Sequence, residues 1–167
     1  MKLWHITAAA VLVLLGGVVW LLRAVDARRP HGSDTEQIRA LVGEGARAAT
    51  RRDSDTLSRL ISNDYQDAFG FRADMVRRQA SAIIGRAHHV DLYIDGHAIN
   101  TSLEPDGHHG SVTFPVNFQA SGGEMPYAFQ GTLTLRLVKE PVRYFLVFPG
   151  EEWRVVAVEG YSPDFLQ

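Results

Sequence analysis

Residues 36–70 read EQIRALVGEGARAATRRDSDTLSRLISNDYQDAFG, and the fold turns on how they are parsed. Ile38, Leu41, Val42, Gly45, Ala48 and Ala49 recur at the spacing of one helix face. Just upstream, Ser33 and Glu36 stand three residues apart, the pairing of a capping box, so this helix starts there and ends near Arg52. Its stripe is rich in small residues after Val42, which permits close packing or leaves room for a cavity. Asp53 or Ser54 caps a second helix whose apolar face is Leu57, Leu60 and Ile61. Asn63-Asp64 breaks it, and Tyr65 to Phe69 is a short strand-like run closed by Gly70.

Toward the C-terminus a third helix follows, with Met75, Val76, Ala80, Ile83 and Ile84 inward and Arg72, Arg77, Arg78 and Arg86 largely outward. The pairs Arg51-Arg52 and Arg77-Arg78 read as helix-surface charges. From His88 the apolar period changes from helical to two. Val90, Leu92 and Ile94 alternate with polar neighbours until Gly96 interrupts as a bulge or bend. Pro105-Asp106-Gly107 and Ser121-Gly122-Gly123 are turns between strands built on Val112 to Ala120 and Tyr127 to Leu137, and a last strand runs from Trp153 to Tyr161. Helices first and a meander of long strands afterward is an α+β pattern. The expected architecture is three N-terminal helices packed in a curved antiparallel or mixed sheet, a cone-shaped α+β roll, preceded by one transmembrane helix.

That helix is read from the opposite end. Trp4 to Leu22 is an uncharged run, WHITAAAVLVLLGGVVWLL, long enough at about 1.5 Å per residue to span a bilayer's hydrocarbon. Trp4 and Trp20 sit near its ends, where indoles favour the membrane interface. Residues 1–23 are therefore an anchor or signal-anchor, 24–32 a linker with Pro30 and Gly32, and 33–167 the domain. The length of the run favours an uncleaved anchor over a cleaved signal, whose only candidate exit is Val25-Asp26-Ala27. Arg23, Arg28 and Arg29 pull the domain toward the cytoplasm, while Lys2 and the amino terminus pull the other way. A short tail, one anchor and a globular domain is a common bacterial export design. The expected location is the bacterial inner membrane with the domain in the periplasm; the alternatives are the cytoplasmic face, or secretion after cleavage.

Composition narrows the function classes. The chain has 167 residues, 46% hydrophobic and 22% charged, which suits one globular domain with an appendage. Residues 1–30 carry a net +3 and the rest a net −5. A mildly acidic domain argues against nucleic acid as a partner. The absence of cysteine excludes disulfides, thiolate metal sites and thiol nucleophiles. No Gly-rich phosphate loop, nucleophile elbow or metalloprotease motif appears, and no cofactor is expected.

The run at 36–70, with its polar break, Leu-rich second helix and strand after Asp64-Tyr65, resembles the opening of the nuclear transport factor 2-like superfamily, also called SnoaL-like, of cystatin-like fold. The ending EEWRVVAVEGYS, residues 151–162, resembles that family's last strand. The resemblance implies a sheet wrapped on three helices, a pocket at one end and frequent dimerisation through the sheet's outer face. It also implies, from the family's ketosteroid isomerases, a general base near the end of the short strand, where Asp67 stands. Those isomerases need a phenol on the first helix as well, and no tyrosine occurs between Asp34 and Arg52. The plain alternative for Asp67 is a rim carboxylate, solvated or bonded to a turn.

Other residues are weighed the same way. Tyr65, Phe69, Phe118, Trp153, Glu159 and Tyr161 are candidates to line the cone; Glu159 does so only if its face of the last strand is concave. His89, Asp91, Tyr93, Asp95 and His97, with His108-His109 on a turn, offer metal-ligand atoms, but alternation alone predicts a polar strand face, and no metal is expected. PVRYFLVFPG, residues 141–150, is either a strand buried on both faces or an aromatic tip in which Tyr144, Phe145 and Phe148 touch lipid or a partner. The function this supports is a membrane-tethered, non-catalytic binding or assembly module, with a homodimer and a small apolar ligand as candidate partners. The alternative is a small acid–base enzyme, isomerase-, cyclase- or hydratase-like, on an apolar substrate with Asp67 as base.

Overall fold

Ser33 caps the first helix, α1 (Asp34–Thr50), as its spacing predicts. The Glu36 N–H donates to Ser33 Oγ at 3.4 Å, while the Ser33 N–H donates to the Glu36 carboxylate at 2.7 Å. These atoms belong to a computed structural model that describes residues 32–122, 127–144 and 148–161, the side chains of Tyr144 and Phe148 excepted. Among the described residues no helix is long and apolar enough to cross a membrane; the predicted anchor at 4–22 lies outside them.

Asp53 caps α2 (Ser54–Leu60), accepting from the Thr56 N–H at 2.9 Å and the Thr56 hydroxyl at 2.6 Å. Between α1 and α2 the chain turns through Arg52 at φ 58°, the left-handed position that glycine usually takes after a helix. The strain is offset because its guanidinium donates to the Ala87 carbonyl at 2.8 Å, at the C-terminal end of α3 (Ala73–Arg86). Arg77 on α3 donates to the carbonyls of Ser58 at 3.1 Å and Ile61 at 2.6 Å, filling acceptors that the end of α2 leaves open. Arg52 is exposed and Arg77 half-buried, and both bond backbone as well as carrying charge. Arg78 is an exposed helix-surface charge, paired with Asp74 at 2.8 Å. Met75, expected inward, is 38% exposed.

The sheet comprises β1 (His89–Ile94), β2 (Asn100–Leu103), β3 (His109–Ser121), β4 (Tyr127–Tyr144) and β5 (Phe148–Glu159), in the order β1-β3-β4-β5. β1 and β2 share one edge of β3, pairing with Val116–Ser121 and Gly110–Thr113 respectively. The interruption between them is a 3-10 turn at Gly96–Ala98, capped by Asp95, which accepts from the His97 N–H at 2.9 Å. Pro115 falls where β1 gives way to β2, an edge already broken there. The segment after α2 lies parallel to β5 through an isolated Ile61–Val155 bridge, and the sheet itself is antiparallel. It curls as a half-barrel around the helices.

Residues 32–140 with 152–161 hold the core. Ile38, Leu41 and Val42 of α1 meet Val112, Phe114, Leu137, Trp153 and Val155 of the strands. Alternation changes phase along β5: Trp153 and Val155 are buried, yet Val158 packs on the core and Glu159 is exposed. The ends of β4 and β5 at 141–144 and 148–151 belong to a separate unit.

Candidate functional site

Asp67 anchors the loop between the short strand-like run and α3. Gln66 pairs with Arg72 in an antiparallel bridge, and the Asp67 N–H donates to the Phe71 carbonyl at 3.2 Å. The Gly70 N–H donates back to the Asp67 carbonyl at 3.1 Å, and Gly70 supplies the positive φ of 81° that this tight turn requires. The side chain completes the loop: Asp67 Oδ1 accepts from the N–H of Phe69 at 2.9 Å and of Phe71 at 3.0 Å. Asp67 is buried, at 6% exposure.

The other oxygen, Oδ2, accepts from two phenols. Tyr65, two residues back on the same face of the run, donates at 3.2 Å. Tyr161 donates in a shorter contact from beyond the end of β5. Gly160 at φ 93° turns the chain there, its absent Cβ leaving room for the Thr132 carbonyl. Burial pushes the Tyr65 phenol well above its ordinary range, and the Asp67 charge pushes it further. Tyr161 moves the same way, through burial first and its bond to Asp67 next. Both phenols therefore stay protonated near neutral pH and serve as donors.

A carboxylate offers about four lone-pair directions. Here two backbone N–H groups and two phenols occupy them. A general base must present a free lone pair to its substrate's proton. The arrangement therefore builds a loop and fixes two tyrosines against it. It joins Asp67 to the turn, as the plain reading has it, and adds phenols from outside the first helix.

The remaining predicted residues scatter. Phe69 is 47% exposed, its ring edge-on to Tyr161 with centroids 5.2 Å apart. Trp153 is buried in the main core and donates through Nε1 to Asp34 at 3.4 Å. Phe118 belongs to a second cluster with Ala87, Val90 and Ala120, so it does not join Asp67. Glu159 corrects the expectation of a cone-lining acid: it is exposed and accepts from Arg136 Nε at 2.8 Å, because the phase change in β5 turns it outward. Phe145 and the side chains of Tyr144 and Phe148 lie outside the described residues.

The histidines follow the polar-face reading. His89, Asp91 and Tyr93 are exposed on β1, with His89 Nε2 3.1 Å from Asp91. Glu104, Asp106 and His109 gather exposed ligand atoms within 4.8 Å of one another on the β2–β3 turn. The turn already uses two of them. Asp106 accepts from the N–H groups of His108 and His109, at 2.9 and 3.0 Å, and pairs with His109 Nδ1 at 2.5 Å. Those bonds hold Asp106 down at about 2 and raise His109 above the usual imidazole range.

Two clusters escaped the sequence. Ser62, 1% exposed, donates to the Glu140 carboxylate and accepts from the Asp64 N–H at 3.0 Å. Lys139 pairs with Asp34 at 2.7 Å and lies 5.1 Å from the Trp153 ring centre. Each joins residues roughly 80 or more positions apart, and nothing local marks such a meeting.

No protein-family model matches the chain, and no curated protein does. Solved structures do. A nuclear transport factor 2-like superfamily protein from Salmonella enterica is similar at 14% identity and a TM-score of 0.57, over 77% of this chain and 89% of that one. A Caulobacter vibrioides protein with a cystatin-like fold is similar at 16% identity and 0.57, over 80% and 93%. A candidate scytalone dehydratase from Novosphingobium aromaticivorans is similar at 12% identity and 0.60, over 76% and 82%. Three helices, a curled sheet and these likenesses agree: the chain has the nuclear transport factor 2-like, cystatin-like fold.

Proposed function

We propose that the chain is a membrane-tethered nuclear transport factor 2-like domain that acts as a non-catalytic binding or assembly module. Residues 4–22 anchor it in the bacterial inner membrane as a single pass, and the domain faces the periplasm. Its cone takes an apolar ligand or a partner's apolar segment, and it self-associates as a homodimer. One observation carries the non-catalytic part: the acid at the position of the family's base has every lone-pair direction filled by its own chain.

A second reading has specific support. Similar folds include candidate dehydratases, and a buried carboxylate touching two phenols is a proton-handling group. In that reading Asp67 is the base of an isomerase-, cyclase- or hydratase-like enzyme, and Tyr161 must leave the carboxylate when substrate arrives.

Native mass spectrometry of the full chain released from detergent micelles separates the two. An empty dimer, or a copurified molecule that the protein leaves unchanged, agrees with the module. A copurified molecule that is converted, with conversion lost in a folded Asp67→Asn variant, overturns it. For orientation, a reporter active only outside the cytoplasm is fused after Gln167; silence rules out the periplasmic placement.

A further inference from the structure

We infer that the Asp67 site recognises a phenolic hydroxyl, and that Tyr161 is the chain's own stand-in for a small phenol that displaces it. The inference rests on the binding-module reading and names the ligand class. The chain itself supplies the bound form. Tyr161 donates its hydroxyl to Asp67 Oδ2, and its ring lies edge-on to Phe69, with centroids 5.2 Å apart and planes at 68°. A hydroxyl acceptor at one end of a ring and an aromatic contact along it are the two parts that hold a small aromatic ligand.

The receiving half is complete without Tyr161. Asp67 Oδ1 is fixed by the N–H groups of Phe69 at 2.9 Å and Phe71 at 3.0 Å, and Tyr65 donates to Oδ2 at 3.2 Å. All of these residues lie between positions 65 and 71. The segment leading into them is held to β5 by backbone bonds: the Ser62 N–H donates to the Val155 carbonyl and the Gln66 N–H to the Val156 carbonyl, each at 2.9 Å. The acceptor therefore keeps its position when Tyr161 leaves. Tyr161 is the detachable member. β5 ends at Glu159, Gly160 turns the chain at φ 93°, and Tyr161 follows outside the ladder, half-buried.

Burial decides what can take its place. Asp67 is buried, so a newcomer that cannot donate leaves Oδ2 short of a hydrogen bond that water does not freely replace. Ketones, ethers and hydrocarbons fail on that ground. A hydroxyl on a flat apolar ring reproduces both contacts of Tyr161, and the exposed Phe69 offers the surface that such a ring covers.

The test uses the full chain in detergent micelles. The probes are p-cresol, which is the tyrosine side chain itself, and p-methylanisole, the same ring with its hydroxyl capped. Isotope-labelled phenylalanine makes the Phe69 and Phe71 amides, which donate to Asp67, the local readout beside the thermal midpoint. Tyr161→Ala should lower the midpoint and shift both amides. Added p-cresol should restore most of the lost midpoint, return both amides toward their wild-type positions, and bind about tenfold or more tighter than p-methylanisole, the effect of one hydrogen bond to a buried acceptor. The wild type should respond at the same amides at a higher concentration, because the tethered Tyr161 competes. Equal binding of the two probes overturns hydroxyl recognition and leaves an apolar-ligand module standing. A response that persists in Tyr161→Phe, whose ring still fills the place, puts the cresol elsewhere and overturns the inference. A wild type that never responds makes Tyr161 a fixed strut and overturns it too; the module itself then stands or falls on the copurified molecule. If Tyr161→Ala fails to fold, the wild-type titration with both probes decides alone.

Discussion

A carboxylate with four donors stabilises by what it satisfies, and Asp67 can be dissected on that basis. Asp67→Ala leaves two loop N–H groups and two phenols without their acceptor, which costs about 3 kcal/mol. Asp67→Asn keeps an oxygen for the N–H pair and turns an amide toward phenol oxygens that can accept, so it costs about 1 kcal/mol. Urea denaturation checks the ranking; equal losses would mean that the charge, not the acceptor count, sets the stability. The exposed Asp106–His109 pair gives a second test at this scale. His109, raised by Asp106, gives a stabilising contribution that is full below the ordinary imidazole value near 6.5 and is lost as pH rises through its raised value. Asp106, held at about 2, contributes above its ordinary 3.8 and loses that as pH falls toward 2. The pair therefore acts in the window between them. Proton NMR should find His109 titrating above the ordinary imidazole range, and Asp106→Asn should bring it back down.

Among the elements, β5 and its exit carry the most consequence. A Cβ on Gly160 would lie 2.2 Å from the Thr132 carbonyl oxygen, and the residue holds φ 93°. Gly160→Ala therefore costs about 2 kcal/mol or more and withdraws Tyr161 from Asp67, which a fall in thermal midpoint together with a changed tyrosine near-ultraviolet signal would register. That same exit explains what sequence reading could and could not reach. Caps were legible because their partners are three residues apart: Ser33 with Glu36 and Asp53 with Thr56. The longer strands of the meander were legible through alternation, and Gly96 through its interruption, whereas the four-residue β2 was not. Parity along β5 was not, because the phase changes between Val155 and Val158 and carries Glu159 outward. Asp67, Tyr65 and Tyr161 were each legible as candidates, but the bond between Asp67 and Tyr161 spans 94 positions and has no local signature. Arg52 and Arg77 escaped for a related reason. Their partners are backbone carbonyls, and composition says nothing about where those lie.

On the scale of the whole molecule, the Asp67 cluster joins the helical half to the end of the sheet. Tyr65 follows α2, Asp67 precedes α3, and Tyr161 follows β5, so one carboxylate links segments that approach from both ends of the described chain. Stability should accordingly respond to the state of two phenols. Both are raised above the ordinary tyrosine value of 10.0 by burial and by Asp67. In the unfolded chain they release their protons near 10, while in the folded domain they keep them. Above that pH the native state binds more protons than the unfolded state, so the free energy of unfolding falls as pH rises. The contribution is complete below pH 10 and is lost progressively above it. Denaturant unfolding measured from neutral pH to about 11 should be flat and then fall, and the fall should be shallower in Tyr161→Phe, which removes one of the two retained protons. If the variant falls as steeply as the wild type, Tyr161 does not hold its proton on Asp67 in solution. The joint between the first half of the chain and the last strand would then rest on core packing and on backbone bonds such as those from the Ser62 and Gln66 N–H groups to the Val155 and Val156 carbonyls.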